Sequence, residues 1–474
     1  MMLSNSFNKS AIGAGLPTAQ SQPVYRVPSR TGLRVRATVA DETAATQQQQ
    51  EEERGREIRR SLNKTGRYVR TVKNDPDATK ALDADGVGYS LTGLVAQMRE
   101  EGNFWKQGDV TVKLAKAYGY CWGVERAVRM AYEARRAFPG RSIHVTNEII
   151  HNPEVNRRLR EMDVNIVKED PQKGKDYSKI DNGDVVIFPA FGVGAPDMKY
   201  FRDKGVNIVD TTCPWVAKVW NSVDTYAKKK CTSIIHGKYS HEETVATASF
   251  AEDYLIIKDL NEAQYVCDYI LKGGDREEFM KKFSKAVSKG FDPDVHLNRV
   301  GLANQTTMLK GETQAIGKML ERTMMEKFGP QNLQDHFMVM DTICDATQER
   351  QDALYEITDD PTIDMMLVVG GFNSSNTSHL QEIPHNKGLP AFWVDTADRI
   401  DMANNSIAHK LHYGELKVTE NWLPEGPITI GVTSGASTPD RAVEEVLERV
   451  FRMKDPNFKG IQPRECAPPV LPTH

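Results

Sequence analysis

Three of the six cysteines occupy the same kind of place in the sequence, between an apolar run and a helical pattern. Cys121 lies in "GYCWGVERAV", Cys213 in "VDTTCPWVAKV" and Cys344 in "TICDATQERQDA". Each context predicts a strand-to-helix junction, where the helix N-terminus favours the thiolate form that binds metal. If three such junctions surround one axis, their three thiolates can converge.

Three thiolates leave one position open on a tetrahedral centre. A zinc ion held in this way would form a catalytic site with one free coordination position. A cubane iron–sulfur cluster would leave one iron for a substrate, and the cysteines alone do not separate the two cases. The other cysteines (Cys231, Cys267 and Cys466) do not share the junction context, so we predict that they are structural.

Other strand ends continue into loops that are rich in Ser, Thr, Asn and Gly. These loops cover residues 146–155, 236–244, 304–307, 370–382 and 431–440. Such side chains and glycine-freed amides can bind phosphate, although each loop alone would also suit ordinary helix capping. Their joint occurrence predicts a small polyanionic ligand such as a diphosphate, and His151 and His241 add donors that can carry charge.

Two acidic residues follow His241 in the sequence "SHEET". Glu243 is a candidate proton donor, because a carboxyl group beside a histidine, a bound anion and a metal can act as a general acid. Glu242 is expected to be an ordinary solvated acid at the start of a helix.

Apolar runs alternate with helical patterns from residue 110 onward. The runs that we interpret as strands cover 110–115, 142–146, 184–190, 206–210, 232–237, 253–258, 337–341, 364–371 and 428–432. The helical patterns cover 123–137, 153–161, 215–230, 311–328 and 348–358. This alternation predicts an α/β fold with mostly parallel sheets, in which ligands bind at the carboxyl ends of the strands.

The composition argues against several classes of protein. The chain has 474 residues and a formal net charge of -4, so it lacks the basic field typical of nucleic-acid-binding proteins. No apolar run approaches the roughly 18 residues that a membrane span needs. Six cysteines in a chain of this length are too sparse for a disulfide scaffold.

The first 40 residues differ in composition from the rest of the chain. They contain neither Asp nor Glu. Their basic residues are Lys9, Arg26, Arg30, Arg34 and Arg36. This pattern predicts an organelle transit peptide, with an ordinary disordered N-terminus as the alternative. The low-complexity stretch 47–60 is interpreted as a solvated helix or a linker, and 61–109 as an amphipathic extension.

The cysteine motifs and the loops "TNEIIHNPEV", "HGKYSHEETVATASF", "NQTTMLKGET", "GGFNSSNTSHLQE" and "GVTSGASTPD" resemble those of the LytB family of 4-hydroxy-3-methylbut-2-enyl diphosphate reductases. The resemblance covers residues 110–450 in the correct order and is greatest to plastid and cyanobacterial members. It implies three α/β units with mostly parallel sheets, in a trefoil around a central iron–sulfur cluster. The implied activity is reductive dehydroxylation of (E)-4-hydroxy-3-methylbut-2-enyl diphosphate to isopentenyl and dimethylallyl diphosphates, the last step of the methylerythritol phosphate route to isoprenoids.

The resemblance also implies roles for individual residues. Cys121, Cys213 and Cys344 match the ligands of a [4Fe–4S] cluster. Glu243 matches the acid that delivers a proton, and Thr306 matches a threonine near the substrate hydroxyl. The implied diphosphate-binding residues are His151, His241, Ser374, Ser375, Asn376 and Ser437. Phe191 departs from the pattern, since many bacterial members have a histidine there, and the change removes one expected diphosphate donor.

The resemblance extends to partners and domains. The chain has no dinucleotide fingerprint, so electrons are expected from a protein, which in a plastid stroma would be ferredoxin by analogy with the family. A homodimer is one of the oligomeric states that the sequence leaves open. The predicted segments are a transit peptide (1–40), an N-terminal extension (41–109), three α/β units (110–212, 213–336 and 337–440) and a C-terminal helix and tail (441–474).

Two other functions remain open from the sequence. A zinc-dependent hydrolase using the three thiolates would contain zinc, show no visible absorption band and need no reductant. A non-catalytic, cluster-containing diphosphate sensor would hold a cluster but would not turn over substrate with a one-electron donor.

Overall fold

The computed structural model describes residues 55–71, 75–170, 174–412 and 414–467. The predicted transit peptide at 1–40 therefore lies outside the described residues. The helices span Gly55–Lys64, Pro76–Ala84, Leu94–Glu100, Trp122–Ala137, Pro153–Glu161, Ala195–Lys204, Pro214–Lys228, Glu242–Ala248, Leu260–Lys272, Arg276–Lys282, Pro293–His296, Lys310–Phe328, Leu333–His336, Asp345–Thr358, Ser375–Asn386 and Asp440–Lys454. Among the described residues, no helix is both long enough and apolar enough to cross a membrane.

The first and second sheets are entirely parallel. In spatial order, the strands of the first sheet are Tyr68–Val69, Asn207–Asp210, Val185–Phe188, Ile143–Val145 and Val164–Ile166. Those of the second are Tyr254–Ile257, Thr232–His236, Val300–Asn304 and Phe337–Val339. The inner strands are apolar and buried on both faces because helices cover both sides of a parallel sheet.

The third sheet has a parallel centre with antiparallel edges. Its strands in spatial order are Ile400–Asp401, Ser406–Lys410, Ala391–Val394, Met365–Val369, Ile428–Ser434, Val110–Leu114 and Phe104–Gln107, and Leu416–Glu420 pairs outside this path with Ser406–Lys410. A separate two-stranded hairpin joins Glu169–Asp170 to Gly174–Lys175. The three sheets and their helices confirm the predicted α/β fold with mostly parallel sheets.

Each of the three cysteines lies where the chain leaves one sheet and enters a helix beside the next. Cys121 follows a strand of the third sheet, but its helix packs against the first. Cys213 follows the first sheet, and its helix packs against the second. Cys344 follows the second sheet, and its helix packs against the third. The three crossings thereby bring all three cysteines to the centre of the molecule.

Strand pairing differs from the predicted unit boundaries at two places. The strand Val110–Leu114 was expected in the first unit but pairs within the third sheet. The strand Phe337–Val339 was expected in the third unit but pairs within the second. The physical reason is the crossing at each cysteine, because a strand and the helix that follows it belong to neighbouring sheets. As a statement about folding units, the boundaries remain a prediction.

The N-terminal extension is built into the sheets and helix layers. Its helix Gly55–Lys64 buries Ile58 and Leu62 in the core beside the first sheet. Its helix Leu94–Glu100 packs against Asp440–Lys454. Between them, the Arg99 guanidinium lies 2.7 Å from the buried Asp440 carboxylate, which also accepts a 3.0 Å hydrogen bond from the Ser90 amide. The extension is therefore part of the fold from residue 55 onward.

The C-terminal tail forms hydrogen bonds to the segment of the extension that contains Leu91, Thr92 and Gln97. The amides of Arg464 and Cys466 donate to the carbonyls of Thr92 and Leu91 at 3.0 and 2.9 Å. The buried side chain of Gln97 donates to the Gln462 carbonyl at 2.8 Å. The segment just before residue 100 is thus fixed on two sides.

Candidate functional site

Cys121, Cys213 and Cys344 are the N-cap residues of three helices, which confirms their predicted placement at strand-to-helix junctions. All three line one cavity of about 330 Å³. The remaining wall combines aromatic residues (Tyr89, Tyr118, Tyr120, Trp122 and Trp215) with charged ones (Arg99, Lys116, Glu349, Arg350 and Asp440). Because Tyr89 belongs to the extension, this segment helps to enclose the cysteines.

Two buried arginines hold the cysteine loops together. Arg350, on the helix that Cys344 begins, donates to the carbonyls of Gly119 and Tyr120 just before Cys121, at 2.7 and 2.8 Å. Arg126, on the helix that Cys121 begins, donates to the carbonyls of Thr211 and Thr212 just before Cys213, both at 3.4 Å. Each helix therefore positions the loop of another cysteine.

Gly123 permits the close approach of two of these cysteines. A methyl group at this position would lie 2.6 Å from the Cys213 sulfur and 4.0 Å from the Cys121 sulfur. Any side chain larger than hydrogen would therefore displace the Cys213 thiol. The space beside the two sulfurs exists because the residue is glycine.

The thiol pKa values differ from the prediction made for helix N-termini. Burial, together with the neighbouring Cys121 thiol, raises the pKa of Cys344 to about 11. Burial also raises the pKa of Cys213 well above its ordinary value. Backbone amides at the helix starts do act in the predicted direction, but burial outweighs them. Ionisation of the triad therefore needs added positive charge, as metal ions would provide.

The spacing of the sulfurs bears on which metal centre the triad could hold. Three sulfurs on one zinc ion, at about 2.3 Å each, lie roughly 3.8 Å from one another. Within the described part of the chain, the group whose ligand atoms all lie within 4.8 Å of one another is His151, His241 and Glu242, and not the cysteine triad. The triad is therefore wider than a single zinc ion requires.

The loops of Cys121 and Cys344 are hydrogen-bonded to polar loops, and the loop of Cys213 is hydrogen-bonded to the segment that contains Phe191. The Cys121 amide donates to the Ala436 carbonyl beside Ser437 at 3.3 Å. The Cys213 amide donates to the Ala190 carbonyl beside Phe191 at 2.8 Å. Thr342, two residues before Cys344, donates to Asn304, two residues before Thr306. The structure thus brings the cysteines and the predicted anion-binding loops into one site.

The polar loops of the third sheet present unused donors to this site. Ser374 caps the helix Ser375–Asn386 by accepting from the Thr377 amide at 3.2 Å. The Asn376 side-chain oxygen accepts from the Ala436 amide at 2.9 Å, while its amide nitrogen and the Ser375 hydroxyl, both buried, have no partner among the described residues. Ser374 therefore acts as an ordinary helix cap, whereas Ser375 and Asn376 each keep a buried polar group that has no partner among the described residues.

The loop of His151 meets the third sheet in close backbone contact. A methyl group on Gly371 would lie 2.3 Å from the His151 carbonyl oxygen. The Ser437 hydroxyl donates to that same carbonyl at 3.3 Å. Ser437 therefore positions His151 in this structure, and its contact with a ligand is not part of the observed geometry.

The ring of His151 is in contact with the rings of both Phe191 and His241. The Phe191 ring stacks on His151 with centroids 4.8 Å apart and 11° between the planes. His241 lies edge-on to His151 at 5.5 Å. Phe191 thus gives His151 a flat apolar support.

His241 is a neutral hydrogen-bond donor rather than a charged one. Burial lowers its pKa well below the ordinary value, and the nearby His151 and Lys238 lower it further. Its Nδ1 accepts from the Glu243 amide at 3.2 Å, so the ring hydrogen lies on Nε2. This tautomer argues against a metal ion at His151, His241 and Glu242, because Nε2 of His241 then has no free lone pair.

Glu242 is the first residue of its helix, as expected, and its side chain is 31% exposed, but it also contacts two polar side chains of the site. Its carboxylate accepts from the Asn147 amide group at 3.0 Å and lies 3.6 Å from Nε2 of His151. On the other side of the ring, Nδ1 of His151 lies 3.1 Å from the Glu148 carboxylate. Glu148 was not identified from the sequence, since no motif relates it to His151.

Glu243 is buried beneath Thr306, with 2% of its surface exposed. The Thr306 amide and hydroxyl donate to its two carboxylate oxygens at 2.5 and 2.9 Å. Burial raises the pKa of Glu243 to about 7, opposed by the two Thr306 hydrogen bonds. A carboxyl group with this pKa can hold a proton near neutral pH and release it.

The other cysteines lie away from the cavity. Cys231 and Cys267 are buried among apolar side chains, and the Cys466 thiol contacts the Arg464 carbonyl at 3.3 Å. Their positions agree with the predicted structural role.

The geometry can now be compared with known proteins. A family model described as "LytB protein" matches residues 112–451. The chain is 62% identical over 414 residues to the chloroplastic 4-hydroxy-3-methylbut-2-enyl diphosphate reductase of Botryococcus braunii, covering 86% of this chain and 82% of the relative. It is 54% identical over 398 residues to the 4-hydroxy-3-methylbut-2-enyl diphosphate reductase of a Cyanothece strain, covering 84% of this chain and 97% of the relative.

A solved structure shares the fold. It is the E-1-hydroxy-2-methyl-but-2-enyl-4-diphosphate reductase from Plasmodium falciparum, with a TM-score of 0.53 and 23% sequence identity. The match covers 71% of this chain and 86% of that chain. At this identity the similarity concerns the fold alone, and it agrees with the α/β architecture described above.

Proposed function

The chain belongs to the LytB family, and we propose that it reduces (E)-4-hydroxy-3-methylbut-2-enyl diphosphate to isopentenyl and dimethylallyl diphosphates within the site described above. Its relatives at 54–62% identity place it among the 4-hydroxy-3-methylbut-2-enyl diphosphate reductases, oxidoreductases of isoprenoid biosynthesis. The observation that carries the proposal is the direct hydrogen bonding between the cysteine loops and the polar loops. A redox centre and a diphosphate pocket can therefore act on one small molecule.

We propose a [4Fe–4S] cluster as the cofactor, with Cys121, Cys213 and Cys344 as its ligands. The space beside Gly123 and the buried, uncompensated thiols fit a metal centre, and the width of the triad favours a multinuclear iron centre over a single zinc ion. When bound, such a cluster supplies electrons singly and an iron with an open position that can act as a Lewis acid.

The diphosphate is assigned to the polar end of the site. The unpartnered donors of Ser375 and Asn376 and the Nε2 hydrogen of His241 supply neutral hydrogen bonds. His151 and Ser437 complete the group, His151 through Nε2 and Ser437 beside it. Ser374 contributes by holding the start of the helix on which Ser375 and Asn376 lie. These groups orient the substrate so that its hydroxyl end points towards the cysteines.

Glu243 is assigned as the proton donor and Thr306 as its link to the substrate. The reaction consumes two electrons and two protons, breaks the allylic C–O bond, forms a C–H bond and releases water. A proton held by Glu243 can leave through the Thr306 hydroxyl, which is already 2.9 Å from the carboxylate. Protonation of the leaving hydroxyl avoids the release of hydroxide into a buried site, which would be costly.

The electron donor and the cellular compartment are inferred from the family and from the composition of residues 1–40. We assign a small redox protein, ferredoxin, as donor and the plastid stroma as location, because the Botryococcus relative is chloroplastic and residues 1–40 have transit-peptide composition. N-terminal sequencing of the mature protein should find the first residues removed. A protein that begins near residue 41 should keep full activity in vitro.

The function is tested on anaerobically purified holoenzyme. We expect a broad visible absorption band, iron and sulfide in near-equal amounts, and conversion of the substrate to both products with a strong one-electron reductant. A zinc hydrolase would instead release phosphate without a reductant and lack the band. A sensor would show the band but no turnover, and either result would contradict the proposal.

A further inference from the structure

The carboxylate of Glu242 lies beside Nε2 of His151, at the position where an anionic ligand would bind. Its Oε1 accepts from the Asn147 side chain at 3.0 Å, and its Oε2 lies 3.6 Å from Nε2 of His151. That nitrogen is buried and makes no hydrogen bond within the described residues. The side chain of Glu242 is 31% exposed, so it can turn without disturbing the core.

The two carboxylates on His151 differ in what they can do. Glu148 lies 3.1 Å from Nδ1, on the side away from Glu242, where it can hold the ring in position. Glu242 faces Nε2, the nitrogen that the proposed function assigns to the diphosphate. Two anions cannot share one N–H donor at full strength, and two like charges a few ångströms apart repel each other.

Space for a movement of Glu242 lies directly outside. A cavity of about 550 Å³ adjoins the two histidines, and besides Glu242 its charged lining residues are the cationic Arg160, Lys168 and Lys238 and the acidic Glu148 and Glu169. A carboxylate that leaves His151 can therefore remain solvated, in the neighbourhood of positive charge.

We propose that Glu242 is an internal competitor of the diphosphate, a positioning residue that occupies His151 in the free protein and turns outward when the substrate binds. The inference rests on the assignment of His151 to the diphosphate end under the proposed function. It implies that Glu242 lowers the affinity for diphosphates and assists product release, because its return to His151 offsets the loss of the bound anion. Glu148 has the opposite role in this proposal, because its contact with Nδ1 keeps the His151 ring in position for the bound diphosphate.

The test compares Glu242→Gln with Glu148→Gln in the holoenzyme, using inorganic diphosphate as the probe in anaerobic calorimetry. The two variants remove the same charge from the same imidazole, so a general electrostatic effect would change both equally. We expect Glu242→Gln to bind inorganic diphosphate more tightly, on the order of tenfold, and Glu148→Gln to bind it no more tightly than the wild type. In steady-state assays, Glu242→Gln should lower KM with kcat unchanged or reduced by slower product release.

Two results would overturn the inference. One is unchanged or weaker diphosphate binding by Glu242→Gln, provided that its visible spectrum and melting temperature match the wild type. The other is equal tightening in both variants, which would show a general charge effect. Failure of the proposed function would look different, because the wild type would then not convert the substrate, whatever the order of the diphosphate affinities.

Discussion

Thr306 binds both carboxylate oxygens of Glu243, one through its amide at 2.5 Å and the other through its hydroxyl at 2.9 Å. The two hydrogen bonds stabilise the ionised carboxylate, whereas burial stabilises the neutral acid, and the balance places the pKa of Glu243 at about 7. Thr306 has the largest effect of the neighbouring residues on this pKa, with a smaller one from His151, and its hydroxyl can also carry the proton onward. Several of the expectations below depend on this pair.

Glu243→Gln should lower kcat by about a hundred- to ten-thousand-fold, the usual contribution of a general acid. The amide keeps the shape of the side chain but releases no proton usefully, so KM and iron content should change little. Rate measurements at saturating substrate and reductant check this. A wild-type rate would show that Glu243 is not the donor, and Glu242 or a chain of water molecules would then be the next candidates.

The pH dependence of kcat should report the same carboxyl group. Glu243 acts as an acid only while protonated, so kcat should be constant at low pH and fall as the pH rises through about 7. Thr306→Val removes the hydroxyl that favours ionisation and should therefore raise the pKa of Glu243 and move the fall to higher pH, besides lowering the rate. Thr306→Ser keeps the donor and is the matched control. A fall at the same pH in the Val and Ser variants would contradict the assignment.

The same pKa has a consequence for stability. The folded-state pKa of Glu243 is raised from the model-compound value of 4.5 to about 7. Its contribution to the free energy of unfolding should therefore be fully present below pH 4.5 and be lost as the pH rises through about 7. Denaturant unfolding across this range should show a loss in the wild type that is smaller in Glu243→Gln. If the free energy of unfolding depended on pH in the same way in both proteins, the pKa of Glu243 would not be raised by burial in solution.

The cysteine assignments lead to a comparison between two sets of substitutions. Changing Cys121, Cys213 or Cys344 to Ser should remove or degrade the cluster and abolish activity, because each thiolate is expected to bind one iron. Cys466→Ser should spare both, since its thiol contacts the Arg464 carbonyl and the Glu100 carboxylate and does not line the cavity of the three cysteines. Changes at the buried Cys231 and Cys267 should spare the cluster too. Full iron and sulfide in Cys213→Ser would disprove the ligand set.

Gly123→Ala should damage the metal centre without altering any proposed ligand. The added methyl group would lie 2.6 Å from the Cys213 sulfur, so the thiol must shift. We expect reduced iron content and an altered visible spectrum in a folded protein. Gly311→Ala is the matched control, because that helical glycine has nothing within 4 Å of the added methyl group and should gain up to about 1 kcal/mol in stability. Unchanged iron in Gly123→Ala would place the cluster elsewhere.

The extension should contribute to stability through Arg99. This side chain forms a 2.7 Å ion pair with Asp440, whose own side chain is only 2% exposed. Arg99→Met leaves the carboxylate buried without its partner, and loss of one partner from such a pair costs about 3–5 kcal/mol. Arg464→Ala removes surface ion pairs with Glu100 and Glu101 and should cost less than about 1 kcal/mol. Denaturant unfolding of the two variants measures these losses in the free energy of unfolding. Similar losses in Arg99→Met and Arg464→Ala would contradict the stabilising role assigned to the buried ion pair.

Much of this site could be predicted from local sequence. The three cysteines begin helices because an apolar strand, a short turn and a helical pattern follow one another, and these are properties of neighbouring residues. The α/β alternation likewise predicted the long central strands and five of the helices, although it missed the strands Val164–Ile166, Val300–Asn304 and Ala391–Val394, the hairpin of Ser406–Lys410 with Leu416–Glu420, and several helices such as Leu260–Lys272. Family motifs added the expected roles of Glu243, Thr306 and the polar loops.

Other features were decided by tertiary structure alone. The crossing of each cysteine helix to the next sheet depends on which apolar faces meet, and no local pattern specifies this. The thiol pKa values rose because burial outweighs the helix amides, and burial is a property of the assembled cavity. Glu242 looked like a surface acid in the sequence because its partners, Asn147 and His151, lie more than ninety residues away. Local chemistry determined which residues could react, whereas long-range packing determined which of them meet and in what charge state.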